Sequence, residues 1–313
     1  MKRAGFLWLP LIRFANKRTK NARALRRAGI RFYMTAVRMN VFLPPPRVIL
    51  LSPPKSGTHL LSDCLALMPK MMFSGRRLAL REYYAPGKPN GGRSDPPKAT
   101  RALDENRIRR FLGGCPQGMF VTTHAPFHPT LRDLIGELRF KRILLLRDPR
   151  DVVVSNMFFT KHRPDVEYHE YYVEVLKTDE ERIMATIRGF GQHEGTDHPR
   201  ESIREMFEGY TPWLDDPSTL VVRFEDLVGP RGGGVSAKQL EEIKRIADFV
   251  ERPISNEHAK RLAHNMYSRT SLTYRKGIIG DWQNHFTEDH RRVFKRVAGD
   301  ILITLGYEKS TEW

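Results

Sequence analysis

The chain has 313 residues, of which 40% are hydrophobic and 28% charged. That balance belongs to a globular protein with a real core, as one large α/β domain or two smaller ones. Two cysteines, Cys64 and Cys115, argue against a disulfide framework or a zinc site and suit a reducing compartment.

The formal net charge of +17 is concentrated at one end. Residues 1–47 carry twelve Lys and Arg and no acid, leaving 41 basic against 36 acidic residues beyond them. The opening MKRAGFLWLPLI has a basic start and a short apolar run, broken at Pro10 and stopped at Arg13. It is too short to span a bilayer, and the Arg-rich sequel suits a signal peptide poorly. The expected location is cytoplasmic, soluble or bound at a membrane surface.

Within residues 20–42, Leu25, Ile30, Tyr33, Val37 and Val41 fall at helical spacing among arginines, predicting an amphipathic basic helix. Pro44-Pro45-Pro46 ends it, dividing the chain into a basic arm, 1–46, and a main domain, 47–313. Val48–Leu51 is an apolar run typical of a buried parallel strand. It leads through Ser52-Pro53-Pro54-Lys55-Ser56-Gly57-Thr58 into a helical pattern at Leu60, Leu61, Cys64, Leu65 and Met68. Residues 84–100 read as a surface loop. Met119–Thr123 reads as a strand ending at His124, Ile143–Leu146 as one ending at Arg147 with a helix opening near Pro149, and Thr219–Val222 as another before Arg223-Phe224-Glu225-Asp226. A long polar helical stretch is expected over 165–212, a helix over 236–250, then a loop to Thr287. Thr287 is a good N-cap and Gly306 a C′ stop. Alternating strands and helices predict an α/β fold, a doubly wound parallel sheet with ligands at the strands' carboxyl ends.

The strand–Gly57–helix junction is an anion site, because first-turn N–H groups lack partners and the dipole is positive there. Lys55 adds a full charge. Taken alone, the junction could equally be a strand–helix turn with an incidental lysine. A P-loop kinase or ATPase is the rival functional reading, but Lys55 precedes Gly57 and no Gly-Lys-Ser/Thr occurs. The next strand ends in Arg147, although Asp148 follows, where a triphosphate site needs a carboxylate for magnesium. The pattern suits two phosphate-like groups and no metal.

These residues resemble the sulfotransferases that use 3′-phosphoadenosine 5′-phosphosulfate (PAPS), and the likeness runs in the family's order from residue 48 to 287. Pro54–Thr58 matches the phosphosulfate loop PKSGT, and Thr123-His124-Ala125-Pro126 the T-H-x-P context of the catalytic histidine. Arg147–Ser155 matches R-(D/N)-P-(R/K)-D-V-x-V-S, Phe224–Leu227 the (Y/F)-E-D-L strand end, and Arg275–Asn284 R-K-G-x-x-G-D-W-x-N. The resemblance implies that Lys55 stabilises the leaving group, while the backbone of Ser56, Gly57 and Thr58 holds the 5′-phosphate. It implies that Arg147, Ser155, Arg275, Lys276 and Gly277 grip the 3′-phosphate, and that His124 is the general base. Phe224 takes the place of the family's adenine-side Tyr, and His59 could touch ligand. His128 is a rival base. The implied product is adenosine 3′,5′-bisphosphate (PAP), with no metal.

Three departures stand out. The adenine-stacking Trp is Leu60, a Lys often found two residues before the histidine is Thr122, and the vertebrate dimer signature is absent after Gln283. Acceptor identity is expected to depend on regions 76–115 and 160–215. Tyr83, Tyr84, Phe158, Phe159, Tyr168, Tyr171 and Tyr172 would there admit a small-molecule, lipid or carbohydrate acceptor. The arm is open to three readings: a solvated tail, a helix packed on the core, or a contact with an anionic membrane. Its cations lie beside Phe6, Leu7, Trp8, Leu9, Leu11 and Ile12. A nucleic-acid binder ranks below an enzyme, because the basic arm lacks a reading motif.

Overall fold

The computed structural model describes residues 28–31, 34–35, 45–84, 102–191, 199–267 and 275–313. Five parallel strands form one sheet: β1 (Arg47–Leu51), β2 (Met72–Leu78), β3 (Met119–Thr123), β4 (Phe140–Leu146) and β5 (Thr219–Arg223), in the order β2-β3-β1-β4-β5. Side chains alternate across a strand, so each apolar run feeds two cores. Val48, Leu50, Phe120, Ile143 and Leu145 enter one cluster, whereas Ile49, Leu51, Val121, Leu144 and Leu146 enter the other. Helices cover both: α1 (Thr58–Leu67), α8 (Ser236–Phe249) and α9 (Asn256–Asn265) the first face, and α2 (Glu105–Gly113), α3 (Pro129–Glu137), α4 (Pro149–Lys161), α5 (Asp179–Arg188), α6 (Ile203–Glu208) and α10 (Glu288–Thr304) the second. A short helix, α7 (Phe224–Val228), follows β5.

The doubly wound sheet is therefore present, and its chain reverses direction across β1, whose neighbours are β3 and β4. A crevice opens at the carboxyl ends of such neighbours, where the connections leave toward opposite faces.

The structure adds one strand and corrects two expectations. β2 is an addition to the expected strands, because MFSGRRL, with Gly75 and two arginines, lacks an apolar run; it is an edge strand, which tolerates them. Residues 165–212 are not one helical stretch, since α5 ends at Gly189 (φ 69°) and α6 begins after a separate N-cap, Ser202. Residues 256–265, expected as loop, form α9 behind the Ser255 cap. The boundary signals at α10 hold. Thr287 Oγ1 accepts from the N–H of His290, and Gly306 is left-handed at φ 72°.

Of the basic arm, residues 28–31 and 34–35 are helical, and Ile30 and Met34 pack, partly buried, against the second-face core. The remainder of that predicted helix, the opening apolar run and the 85–101 loop lie outside the described residues.

Candidate active site

The loop after β1 turns sharply. Lys55 (φ 67°) and Gly57 (φ 98°) are both left-handed, a conformation that costs a lysine but not a glycine. Close packing adds a second demand at Gly57, where a Cβ would stand 2.5 Å from Cδ2 of Phe224. Phe224 is 4% exposed and lies beneath the loop, with the Arg147 guanidinium 4.5 Å from its ring centroid. It is thus the floor of the anion loop rather than an open face. Ser56 is fully buried and its Oγ has no hydrogen-bond partner among the described residues.

Lys55 sits under a crowd of cations. Its ammonium lies 4.0 Å from the Phe159 ring centroid. Burial first, then Arg147, Arg163 and Arg275, push its pKa down to about 8. A pocket that destabilises a cation in this way favours an anionic ligand.

His124, at the end of β3, is fixed by β1. Its Nδ1 is 2.8 Å from the carbonyl oxygen of Ser52 and 3.4 Å from Ser52 Oγ, which in turn lies 2.7 Å from Thr58 Oγ1. A carbonyl only accepts, so Nδ1 carries the ring proton and Nε2 keeps its lone pair. Burial, then Arg77, hold the pKa at about 4 despite the Ser52 bond, with His59 and Lys55 adding to the depression. At neutral pH this is an uncharged imidazole with one nitrogen able to take a proton. The Tyr210 hydroxyl donates to the His124 carbonyl at 2.8 Å. His128, the rival, is buried at the N-cap position of α3. His59 is exposed on the first turn of α1.

The third cluster is assembled from distant sequence. Arg147 donates to the carbonyl of Ile278 at 2.9 Å and lies 3.4 Å from the Asp151 carboxylate. Asp151 in turn accepts from the backbone N–H of Gly280 at 2.9 Å and of Trp282 at 3.0 Å. Asp281, 3% exposed, pairs with Arg275 and, at 3.1 Å, with Lys276. Those bonds outweigh its desolvation and hold its pKa near 2. Gly277 (φ 63°) presses its carbonyl toward Gly232, where a Cβ would come within 2.5 Å. Ser155 is one turn beyond Asp151 on α4, 9% exposed. The Nε atoms of Arg147 and Arg275 are buried and without a hydrogen-bond partner among the described residues.

Asp148 and Arg150 have a different task. Asp148 caps α4 and binds the Arg150 guanidinium, which reaches Glu308 at 2.7 Å and lies between the rings of Trp282 (4.3 Å) and Trp313 (4.4 Å). A carboxylate so occupied is a structural one. Among the described residues, no group of three or more His, Cys, Asp or Glu is placed to hold a metal ion.

The site therefore gathers Lys55, Ser56, Gly57, Thr58, Arg147, Arg275, Lys276 and Gly277 around one crevice, with His124 beside it. Against expectation, Phe158 belongs to this cationic cluster, with Arg275 4.5 Å from its ring centroid, and Phe159 supports Lys55. Tyr171 and Tyr172 are 9% and 0% exposed; they pack with Phe190, and the Tyr172 hydroxyl is 2.7 Å from Thr186 Oγ1. They are core rather than acceptor lining. Asp151, Asp281, Ser52 and Tyr210 were not singled out by the sequence. The two aspartates could have been, because they stand inside the matched motifs, but nothing around Tyr210 marked it.

Comparison with known proteins decides the class. The model of the sulfotransferase domain family matches residues 45–306. The chain belongs to the sulfotransferase family. This sulfotransferase is 24% identical over 279 residues to human Sulfotransferase 2A1, covering 81% of the chain and 85% of the relative. It is 25% identical to mouse Sulfotransferase 2A6 over 285 residues, covering 82% and 84% respectively. The fold is shared with mouse sulfotransferase SULT7A1 complexed with PAP (TM-score 0.53, 17% identity, 82% of this chain and 84% of that one). It is also shared with retinol dehydratase in complex with androsterone and the inactive cofactor PAP (TM-score 0.51, 22% identity, 86% and 85%).

Proposed function

We propose that this sulfotransferase takes PAPS as donor and transfers its sulfuryl group to a hydroxyl or amine of a small-molecule acceptor. The observation that carries the reading is the set of buried, unpartnered donors, Ser56 Oγ, Arg147 Nε and Arg275 Nε. They lie on the three segments that would hold the donor's charged ends. Unsatisfied buried polar atoms are costly, and phosphate oxygens would satisfy them. Ser56, Gly57 and Thr58 would hold the 5′-phosphate with first-turn amides; Arg147, Ser155, Arg275, Lys276 and Gly277 would take the 3′-phosphate. The donor supplies a sulfuryl group on a good leaving phosphate. His124 Nε2 accepts the proton of the attacking hydroxyl as the new S–O bond forms. Lys55 balances charge on the phosphate oxygen released when the old S–O bond breaks.

A kinase or ATPase is disfavoured by Asp148, whose carboxylate is committed to Arg150 and the α4 cap. Thermal shift separates the two readings: PAP is expected to raise Tm strongly without magnesium, and ATP with magnesium to do so weakly. The reverse order would overturn the assignment. Curated relatives include proteins named for 3-hydroxysteroids and flavonols. These names, with the aromatic rings near Lys55, support an acceptor of moderate size and partly apolar character; lipid and carbohydrate acceptors belong to the same reading.

The cations of residues 1–42 support contact with an anionic membrane surface, at about 1 kcal/mol for each cation at the interface. No helix among the described residues is long and apolar enough to cross a membrane. Deleting residues 1–27, which spares Ile30 and Met34, is expected to abolish pelleting with phosphatidylserine vesicles; unchanged pelleting would refute the contact.

A further inference from the structure

The sulfotransferase match ends at residue 306, yet residues 307–313 run back along α10 to the turn between β4 and α4. The Thr311 methyl would stand 3.6 Å from a Cβ added at Gly299 of α10. The Tyr307 hydroxyl donates to Glu225 Oε2 at 3.1 Å, and Glu225 Oε1 accepts the N–H of Asp148 at 2.9 Å. Glu308 pairs at 2.7 Å with Arg150, whose side chain is 6% exposed. The Trp313 ring centroid lies 4.4 Å from the Arg150 guanidinium, 5.6 Å from the Trp282 ring and 6.1 Å from that of Phe294.

Arg150 is thereby held against the Trp282 ring, at 4.3 Å. Trp282 belongs to the segment that carries Arg275, Lys276 and Gly277. Its backbone N–H and that of Gly280 are received by Asp151, the residue after Arg150. The segment therefore meets the first turn of α4 twice, through its backbone at Asp151 and through an indole at Arg150. The first contact lies wholly inside the matched motifs. The second is completed by Glu308 and Trp313, which stand outside them. A second ring and a second carboxylate restrict a guanidinium that would otherwise have other rotamers open to it.

We propose that Glu308 and Trp313 are positioning residues for the nucleotide. Acting through Arg150 and Trp282, they fix residues 275–282 on α4, so that the grip on the 3′-phosphate is formed before the donor arrives. This rests on the sulfotransferase reading of the site given above. Pre-organisation of this kind raises affinity by sparing the ordering cost of binding. Its effect should fall on the 3′-phosphate, because these contacts lead to the 275–282 segment and not to the loop after β1.

The test uses full-length protein and a matched ligand pair, PAP and adenosine 5′-monophosphate (AMP), which lacks the 3′-phosphate, with affinities read by calorimetry. Trp313→Ala is expected to weaken PAP by about 5- to 30-fold, the worth of one desolvated cation–π contact, and to leave AMP unchanged. Glu308→Gln should show the same selectivity to a smaller degree. Trp313→Phe, which keeps an aromatic face, should restore most of the PAP affinity. Hydrogen exchange of the PAP-free protein is the second readout. The amides of Gly280 and Trp282 should exchange faster in Trp313→Ala, while those of β1 and β4 keep their protection. Unchanged PAP affinity in Trp313→Ala, an equal loss for AMP, or unaltered exchange at Gly280 and Trp282 overturns the proposal. Failure of wild type to prefer PAP to AMP would instead overturn the reading of the site.

Discussion

Replacing His124 by Ala is expected to lower sulfuryl transfer by about 10²- to 10⁴-fold, the usual worth of a positioned general base, while PAP affinity stays within a few-fold of wild type. The split follows from geometry. His124 is tied to Ser52 through Nδ1 and lies beside the anion loop, so its loss removes a proton acceptor and no phosphate contact. Radiolabelled PAPS turnover against calorimetric PAP binding measures both. Its pH dependence has a definite sign. A histidine held near 4 stays neutral, and competent as a base, well below its ordinary value of 6.5. The acid limb of kcat/KM, which reports the unliganded protein, should therefore fall below about pH 5 rather than near 6.5. Retained turnover in His124→Ala, with PAP still bound, would transfer the base to another residue.

Replacing Lys55 by Met should reduce transfer by about 10²- to 10³-fold, the scale for losing one donor to developing charge, and yet stabilise the unliganded protein. Lys55 has a folded pKa near 8 against 10.5 in the unfolded chain, so its charged form is disfavoured by folding. The penalty is complete below pH 8 and vanishes above 10.5. The Tm gain of the variant should accordingly be largest at neutral pH and shrink as pH rises through 8 to 10. PAP binding carries the matching signature. Between pH 8 and 10.5, wild type must take up a proton to meet the anion, so affinity should drop by up to tenfold per unit, and the Met variant should lack that slope. A neutral-pH Tm loss would show that the packing of Lys55 on Phe159 outweighs its buried charge. Activity bought with instability is a common arrangement in active sites.

The parts of the fold legible in sequence were those coded locally. Val48–Leu51 and Ile143–Leu146 are unbroken apolar runs because both sheet faces are covered, and Thr287 and Gly306 mark helix ends through their own backbone chemistry. β2 was illegible because an edge strand needs no such run, and α9 because its amphipathic face is short and its polar side long. In the site, residues that would touch ligand announced themselves as cations and glycines. Those that hold them did not. Asp151 and Asp281 stand inside matched motifs, but only the fold shows which amides and cations they hold, and the Tyr210–His124 bond spans 86 positions. Tyr171 and Tyr172 misled for the converse reason, since aromatic residues serve a core as readily as a pocket.

The two backbone amides received by Asp151 lie 129 and 131 positions along the chain. A contact so far apart in sequence forms only once both ends of the segment are in place, late in folding. Nucleotide affinity should thus be among the last properties a refolding molecule acquires, after the sheet is built, and nascent chains halted before residue 275 would own the anion loop without the means to retain its ligand.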